Sequence, residues 1–516
     1  MFKRLKNIAG RRKDKARLSK KDTLASQKKE RSKSVQSSVT DNLNLFKQIY
    51  KIPENMDVKI REFTLGKSGR NAAILFISSI IDSKRLEESI IKPLLECQAD
   101  DAKISEIIFN PILTPVTEIK KVIEHLNLGN AAIFLDGDHT TYMVDCAKFE
   151  SRAIEQPQNE AVIKGPKEAF TEKVVVNLSL IRKRIKNEKL IVEATVVSER
   201  SKNEVLILYI RNLANEKMVA NIKSRLENLS VDAVQNLSLL EQYIEERRYS
   251  LFPSVLYTER PDRAVSFLED GNIILLMDNS PDCMVLPATF WSYFHSPEDH
   301  YLRFAFGNFS RIIRIVALFI TLFTSAIYVA VTTYHAEMIP ADLLLAIAGT
   351  RERVPFPAFF EIFIMEMAFE LIREAGLRVP NPMGPTIGIV GALILGQAAV
   401  EANIISPIVI IVVALSGLSS FAISDVSLNF AIRIVRFGFI FSASLFGIYG
   451  MTALFITGLF YMVSIKSFGV PYLAPMSPHY VSSGDTIFRK VLTSELFRPG
   501  YLKPADLKKK GDGSTK

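Results

Sequence analysis

Four carboxylates, Glu361, Glu366, Glu370 and Glu401, stand within or between long apolar runs, where an ionised side chain costs free energy and tends to have a partner or a task. At 100° per residue Glu366 and Glu370 share a helix face with Arg373, whereas Glu361 lies roughly opposite. Such acids can ring a cation path through an oligomer, or they can be structural ion pairs or the polar side of an in-plane helix. Glu401 follows Gln397 by one helical turn in Gly396-Gln-Ala-Ala-Val-Glu401, so it reads either as a loop carboxylate or as a buried ion-path or intersubunit group.

Catalytic chemistry has little to stand on. The chain lacks GxxxxGK[ST], GxGxxG after a strand, HExxH and GxSxG, so no enzyme activity, catalytic residue or cofactor is expected. Asp136, Asp138 and His139 are neighbours in a hairpin turn and would point apart, so no metal site is expected there. Cys97, Cys146 and Cys283 show no CxxC or metal-ligand spacing and suit a reducing cytoplasmic compartment.

The elements that must position these groups fall into two classes. Ile315–Ala336, Val379–Val400, Ala402–Ser424 and Phe437–Ile465 contain no Asp, Glu, Lys or Arg. Each is long enough to span a bilayer core, which needs about 20 apolar residues. Spans are therefore predicted near 315–336, 384–400, 404–424 and 437–465, within a helical membrane domain over 301–475. The stretch 356–373 is apolar but carries Glu361, Glu366, Glu370 and Arg373, so it reads as an interfacial or bundle-packed helix, with an amphipathic helix lying along the membrane as the plainer expectation. Arg303, Arg311 and Arg314 before the first run and Lys466 after the last put both termini in the cytoplasm. Arg433 and Arg436 then fall in an external loop, against that bias. If 356–373 crosses instead, they move inside, and an even count requires the last run to bend back at Gly447 or Gly450. Gly388, Ala392 and Gly396 recur every four residues and signal close helix packing. Trp291, Tyr293 and Phe294 suit either the headgroup zone or a soluble core.

Upstream, alternation and turn signals describe an α/β region of two related subdomains, 41–150 and 170–300, joined by a polar linker over 151–169. A strand Asn71–Ile77 followed by a helix Ser83–Glu96 returns as Asn203–Tyr209 and Asn215–Glu227. The hairpin turning at Asp136-Gly137 returns at Asp278-Asn279. Residues 1–40 form a basic, disordered tail with 14 Lys and Arg against 3 Asp and Glu, a surplus of +11 within a net charge of +9. The tail suits anionic lipid headgroups or simple solvation, and its shortage of stacking aromatics speaks against nucleic acid. Residues 476–516 are expected as a cytoplasmic C-terminal tail.

Particular strings carry more than periodicity. Tyr257-Thr-Glu-Arg-Pro-Asp262, Ser296-Pro-Glu-Asp299, Pro355-Phe-Pro357, Arg373-Glu-Ala-Gly376, Gly396-Gln-Ala-Ala-Val-Glu401 and Ser467-Phe-Gly-Val-Pro-Tyr472 stand in this order. Together they resemble the A subunit of GerA-type spore germinant receptors, over about residues 60–500, and a stage V sporulation AF-type paralogue would share them. The resemblance implies a spore inner-membrane protein working with a transporter-like B subunit and a lipoprotein C subunit. It also implies a homo-oligomer forming a gated path for monovalent cations that initiates germination. On that reading Glu361, Glu366, Glu370 and Glu401 are the candidate ion-facing groups, and Glu259, Arg260, Asp262, Glu298 and Asp299 are candidate coupling residues at the domain-to-membrane junction. The competing class is a non-conducting membrane scaffold or signalling adaptor.

Overall fold

Asn71–Ile77 is apolar almost end to end because the strand it forms is covered on both faces. The computed structural model describes residues 34–509 apart from 67–68, 97–103, 109–112, 150–156, 158–159, 161, 378–383, 481 and 484. The basic tail before residue 34, Cys97 and most of the linker at Glu155–Glu160 lie outside the described residues.

In the first subdomain, helix α1 (Val39–Tyr50) precedes strands β1 (Val58–Thr64) and β2 (Asn71–Ile77). A helical stretch of Ser83–Leu86, Glu87–Ile91 and Lys92–Glu96, together α2, follows. Strand β3 (Leu113–Val116), helix α3 (Ile119–Leu126) and strands β4 (Asn130–Leu135) and β5 (Thr141–Asp145) complete it. The strands pair antiparallel in the order β1-β2-β4-β5-β3. Phe46, Tyr50 and Val122 from α1 and α3 bury one face, and Ile90 and Leu94 from α2 bury the other.

The second subdomain repeats this plan. It consists of α4 (Val174–Arg184), β6 (Leu190–Val197), β7 (Asn203–Ile210), α5 (Glu216–Glu227), α6 (Leu237–Ile244), β8 (Leu256–Thr258), α7 (Pro261–Asp270), β9 (Ile273–Met277) and β10 (Cys283–Leu286). Its strand order, β6-β7-β9-β10-β8, matches the first sheet position by position. Side-chain bonds match as well. Val39 N donates to Asp136 Oδ1 at 3.4 Å, and Val174 N to Asp278 Oδ1 at 2.8 Å. The buried Asn42 amide exchanges two hydrogen bonds with the Gln36 backbone, as the Asn177 amide does with that of Thr171. Each hairpin-turn aspartate thus holds the start of the helix that opens its own subdomain.

A buried ion pair joins the two units. Arg182 Nε lies 2.8 Å from Asp57 Oδ2, with both side chains 1% exposed or less, and Ser79 N and Oγ also donate to the Asp57 carboxylate. Lys51 reaches across to Glu193 and Tyr209 beside it.

The rest of the chain is helical. Helix α8 (Phe304–Tyr334) begins eleven residues before the first uncharged run and leads away from the second subdomain. It is followed by α9 (Ala341–Arg351), α10 (Ala358–Leu377), α11 (Gly384–Glu401), α12 (Pro407–Ser420) and α13 (Val426–Ser464). Among the described residues, two helices, α8 and α13, are long and apolar enough to cross a membrane, while α12 is apolar but short. Helix α13 is broken at Gly447, whose φ of 59° and ψ of −142° are non-helical. Its limbs fold back on each other: a Cβ on Gly438 would lie 3.7 Å from Leu454, and the Phe323 ring meets both Phe439 and Phe455. The turn abuts Tyr334 and His335 at the far end of α8, whereas Leu428, Ile432 and Ile465 join the core of the second subdomain.

Three expectations change here. The stretch 356–373 does not lie beside the helices as an amphipathic plank. It is the interior of α10, packed against α8, α11, α12 and α13, and its Glu361 and Glu366 are fully buried. Opposed acids that seemed to prevent a single polar stripe find partners on different neighbouring helices. The run 437–465 is two limbs rather than one span. The C-terminal segment is no free tail: through residue 509 it straps the second subdomain, with Trp291 Nε1 donating to Leu473 O, Arg498 Nε to Glu269 O and Lys509 Nζ 2.7 Å from Asp270. Trp291 accordingly serves the packing of this domain, edge-on to Phe290.

Candidate functional site

The acids of α10 meet arginines that the sequence separates from them by up to 70 residues. Glu366 Oε1 accepts from Ser325 Oγ of α8 at 2.6 Å, and its Oε2 lies 2.9 Å from Arg436 Nη2. One turn on, Glu370 takes Arg436 Nη2 at 2.6 Å and also pairs with Arg433. Arg436 Nη1 donates to Ser416 Oγ of α12 at 3.0 Å, which in turn donates to Thr321 O of α8. Arg373 lies between the rings of Phe369 and Phe421, with Nη2 donating to Gly417 O and Ser420 Oγ. Helices α8, α10, α12 and the first limb of α13 are thereby laced at one level. Such a layer is held by mutual need, since removing one partner of a buried pair strands the other charge.

Glu361 is tied elsewhere. Its carboxylate accepts from Arg351 Nε at 3.2 Å and Ser406 N at 2.9 Å, joining the end of α9 to the start of α12. Glu401 stands apart, exposed at the end of α11 and bonded to Gln397 Nε2 at 3.2 Å. The four acids therefore do not converge: two share the arginine layer, one serves a helix junction and one faces outward. In the small-residue face of α11, Gly396 leaves room for Ile410, since a Cβ there would sit 3.3 Å from it, while the side-chain surroundings of Gly388 and Ala392 lie outside the described residues.

A second cluster lies where α8 leaves the second subdomain. Asp299, fully buried, accepts from Arg311 Nε at 3.0 Å and grips Arg314 with both oxygens, at 2.8 and 2.9 Å. Burial opposes the Asp299 charge, but Arg314 and Arg311 outweigh it and hold the carboxyl below the usual range. Asp485, from the C-terminal strap, engages Arg311 on its other side and His300 at 3.3 Å. Its carboxyl is also held low: burial is overcome by His295, His300 and Arg311. His295 Nε2 lies 2.6 Å from Thr486 O and donates to it, and burial lowers this imidazole to about 4.

The remaining residues of the junction act through the linker. Arg260, fully buried, donates to Pro166 O at 2.8 Å and Glu160 O at 3.3 Å and pairs with Asp262 at 2.9 Å. Asp262 accepts from Tyr301 OH, Glu259 N donates to Glu160 Oε2, and Glu298 accepts from Ile163 N at 3.2 Å. The structure thus brings Arg260, Asp262 and Asp299 to one joint. Arg311, Arg314, Asp485 and the paired arginines of α13 were missed as partners. Only the excess of arginine at the ends of apolar runs pointed to them.

A duplicated α/β half bolted by buried ion pairs to a bundle of apolar helices defines a membrane-associated, two-part protein. The chain belongs to the Bacillus/Clostridium GerA spore germination protein family, whose model matches residues 44–501. It is 35% identical to spore germination protein KA of Bacillus subtilis (strain 168), over 94% of this chain and 90% of that protein. It is 36% identical to spore germination protein A1 of the same organism, over 85% and 90%. An uncharacterized membrane protein of that organism, YfkQ, is also 36% identical over 82% of this chain and 83% of its own. Among solved structures, the N-terminal domain of the A subunit of the Bacillus megaterium spore germinant receptor GerK3 is similar, at 26% identity and a TM-score of 0.40, over 50% of this chain and 98% of that one.

Proposed function

We propose that the protein is the A subunit of a nutrient germinant receptor in the spore inner membrane. There it oligomerises around a gated path for monovalent cations and works with a transporter-like B subunit and a lipoprotein C subunit. The observation that carries the reading is the resemblance to spore germination proteins along nearly the whole chain, soluble and helical parts together. No catalytic step is assigned to it.

In the membrane arrangement we propose, α8, α10, α11, α12 and the two limbs of α13 make six crossings, with both soluble subdomains and the C-terminal strap in the cytoplasm. Alternate ends support this count: Arg373 meets Ser420 near the subdomain, while Glu361 meets Ser406 toward the far end. Arg433 and Arg436 then lie two to three turns from Asp425, on the cytoplasmic half, as the positive-inside bias favours. Glu401 stands at the outer mouth as the ion-facing acid. Glu366 and Glu370 act as a lock between α10 and α13, and opening would exchange one packing of these helices for another. Asp299 with Arg311 and Arg314 would transmit motion of the soluble half to α8.

Neutralisation of Glu361, Glu366 and Glu370 by arginines within the chain favours a second reading, a non-conducting scaffold of the germination complex. Reconstitution separates the two. Potassium efflux from liposomes holding the protein with its B and C partners, triggered by nutrient and altered by Glu401→Gln, supports the channel. A correctly assembled, nutrient-binding complex without efflux supports the scaffold.

A further inference from the structure

The loop after α6 carries Arg247-Arg248-Tyr249-Ser250-Leu251-Phe252, outside the repeat and outside every cluster described above. Its position is fixed by the end of α13. Arg247 donates to Ser464 Oγ at 2.9 Å and Ser464 O at 3.0 Å, its guanidinium lies over the Tyr461 ring, and Phe252 packs against that ring. The loop therefore lies level with the last turn of an apolar limb whose Phe460 and Val463 are themselves exposed. Tyr249 is 100% exposed and Leu251 50%, beside Arg248 and Lys466, two exposed cations without an ion-pair partner among the described residues. The neighbouring acids are engaged: Glu246 pairs with Arg225, and Glu245 accepts from Ser254.

We propose that this loop is an anchor for an anionic lipid surface, with Tyr249 and Leu251 entering the headgroup layer and Arg248 and Lys466 binding lipid phosphate. The inference rests on the membrane reading of α13. An amphipathic ring and a leucine beside free cations at a helix end match the two demands of that zone, an apolar depth and a charged rim. A soluble partner would not require the patch to be level with the end of an apolar limb.

Trp291 is the single tryptophan, so Trp291→Phe gives a silent background whose size-exclusion profile reports folding. In it, Tyr249→Trp and, separately, Phe460→Trp are placed in nanodiscs of phosphatidylcholine with or without phosphatidylglycerol, the lipids brominated near the headgroup or deep in the chain. The Tyr249→Trp reporter should be quenched by shallow bromine, more strongly with phosphatidylglycerol. Arg248→Gln and Lys466→Gln should each weaken that preference about fivefold. Quenching at 460 without quenching at 249 overturns the anchor and leaves the membrane reading standing, and a shielded but unquenched reporter at 249 would mean a protein occupies the loop. Quenching at neither position overturns both, and quenching indifferent to lipid charge overturns the anionic assignment.

Discussion

Arg436 lies between Glu366 and Glu370, its Nη2 2.9 Å from one carboxylate and 2.6 Å from the other, so one guanidinium of α13 bridges two acids of α10. Both Arg436 and Glu366 are fully buried. Arg436→Ala should therefore cost about 3–5 kcal/mol, because it strands the buried Glu366 while Glu370 keeps Arg433, whereas joint replacement of Arg436 and Glu366 by methionine should recover much of the loss. Thermal midpoints of the detergent-solubilised protein measure both. A mild single variant, or a double variant no better than the single, would dismiss the lock.

Asp299 is the corresponding fastener at the base of α8. Asp299→Asn keeps the shape but removes the charge that Arg311 and Arg314 share, and should cost about 2–4 kcal/mol while loosening α8 from the subdomain. Gly307 gives an independent probe, since a Cβ there would run into Asp299 O. Gly307→Ala should disturb the same seat by steric crowding, of Asp299 O and of Arg489 Nε at 3.1 Å, without removing a charge. Hydrogen exchange at 304–311 should rise in both variants, and unchanged protection would count against the seat.

Two half-buried groups make acid act in opposite directions. His295 is lowered from 6.5 to about 4, so the unfolded chain binds its proton first, and stability falls as pH drops from 6.5 toward 4. Glu241 is raised from 4.5 to about 7, by burial and then by Glu245, so its contribution is present below 4.5 and is lost as pH rises through 7. Relative to wild type, His295→Gln should gain between pH 6.5 and 4, and Glu241→Gln should gain between pH 4.5 and 7. Melting curves across pH 4–8 would reveal either trend, and parallel profiles would refute the assignments.

The soluble half was readable because its strands are short, apolar and bounded by turn residues: Asn71–Ile77 has the same limits in sequence and structure, and Asn215 caps the helix that was read from it. The paired helices α1 and α4 were not, because their defining feature is a bond from Asn42 or Asn177 back to the chain six residues earlier, which has no hydropathy period. In the helical half the acids stood out against apolar neighbours. Their partners did not, since Glu370 and Arg433 are brought together by tertiary packing and lie within separate helices. An acid such as Glu361 with no polar stripe to join suggested an in-plane helix, but it was waiting for Ser406 N and Arg351.

Gly447 decides the topology of the last apolar run. A continuous α13 of 39 residues would extend about 58 Å, nearly twice a bilayer core, whereas two limbs joined at Gly447 return the chain to the subdomain. The left-handed φ of 59° suits glycine, and a Cβ there would lie 2.8 Å from His335 Nε2 and 3.2 Å from Tyr334 Cβ. Gly447→Ala should thus cost at least about 1–3 kcal/mol, with loss of folded protein in membranes. Cysteine placed at Tyr449, which is 79% exposed beside the turn, should react with an impermeant maleimide only from outside a sealed vesicle, and cysteine at Lys466 only from the cytoplasmic side. Labelling of both positions from outside would reduce the six proposed crossings to five and leave the C-terminal strap on the wrong face of the membrane to hold Asp270 and Arg311, and labelling of both from the cytoplasmic side would reduce them to four; either outcome refutes a membrane-crossing hairpin.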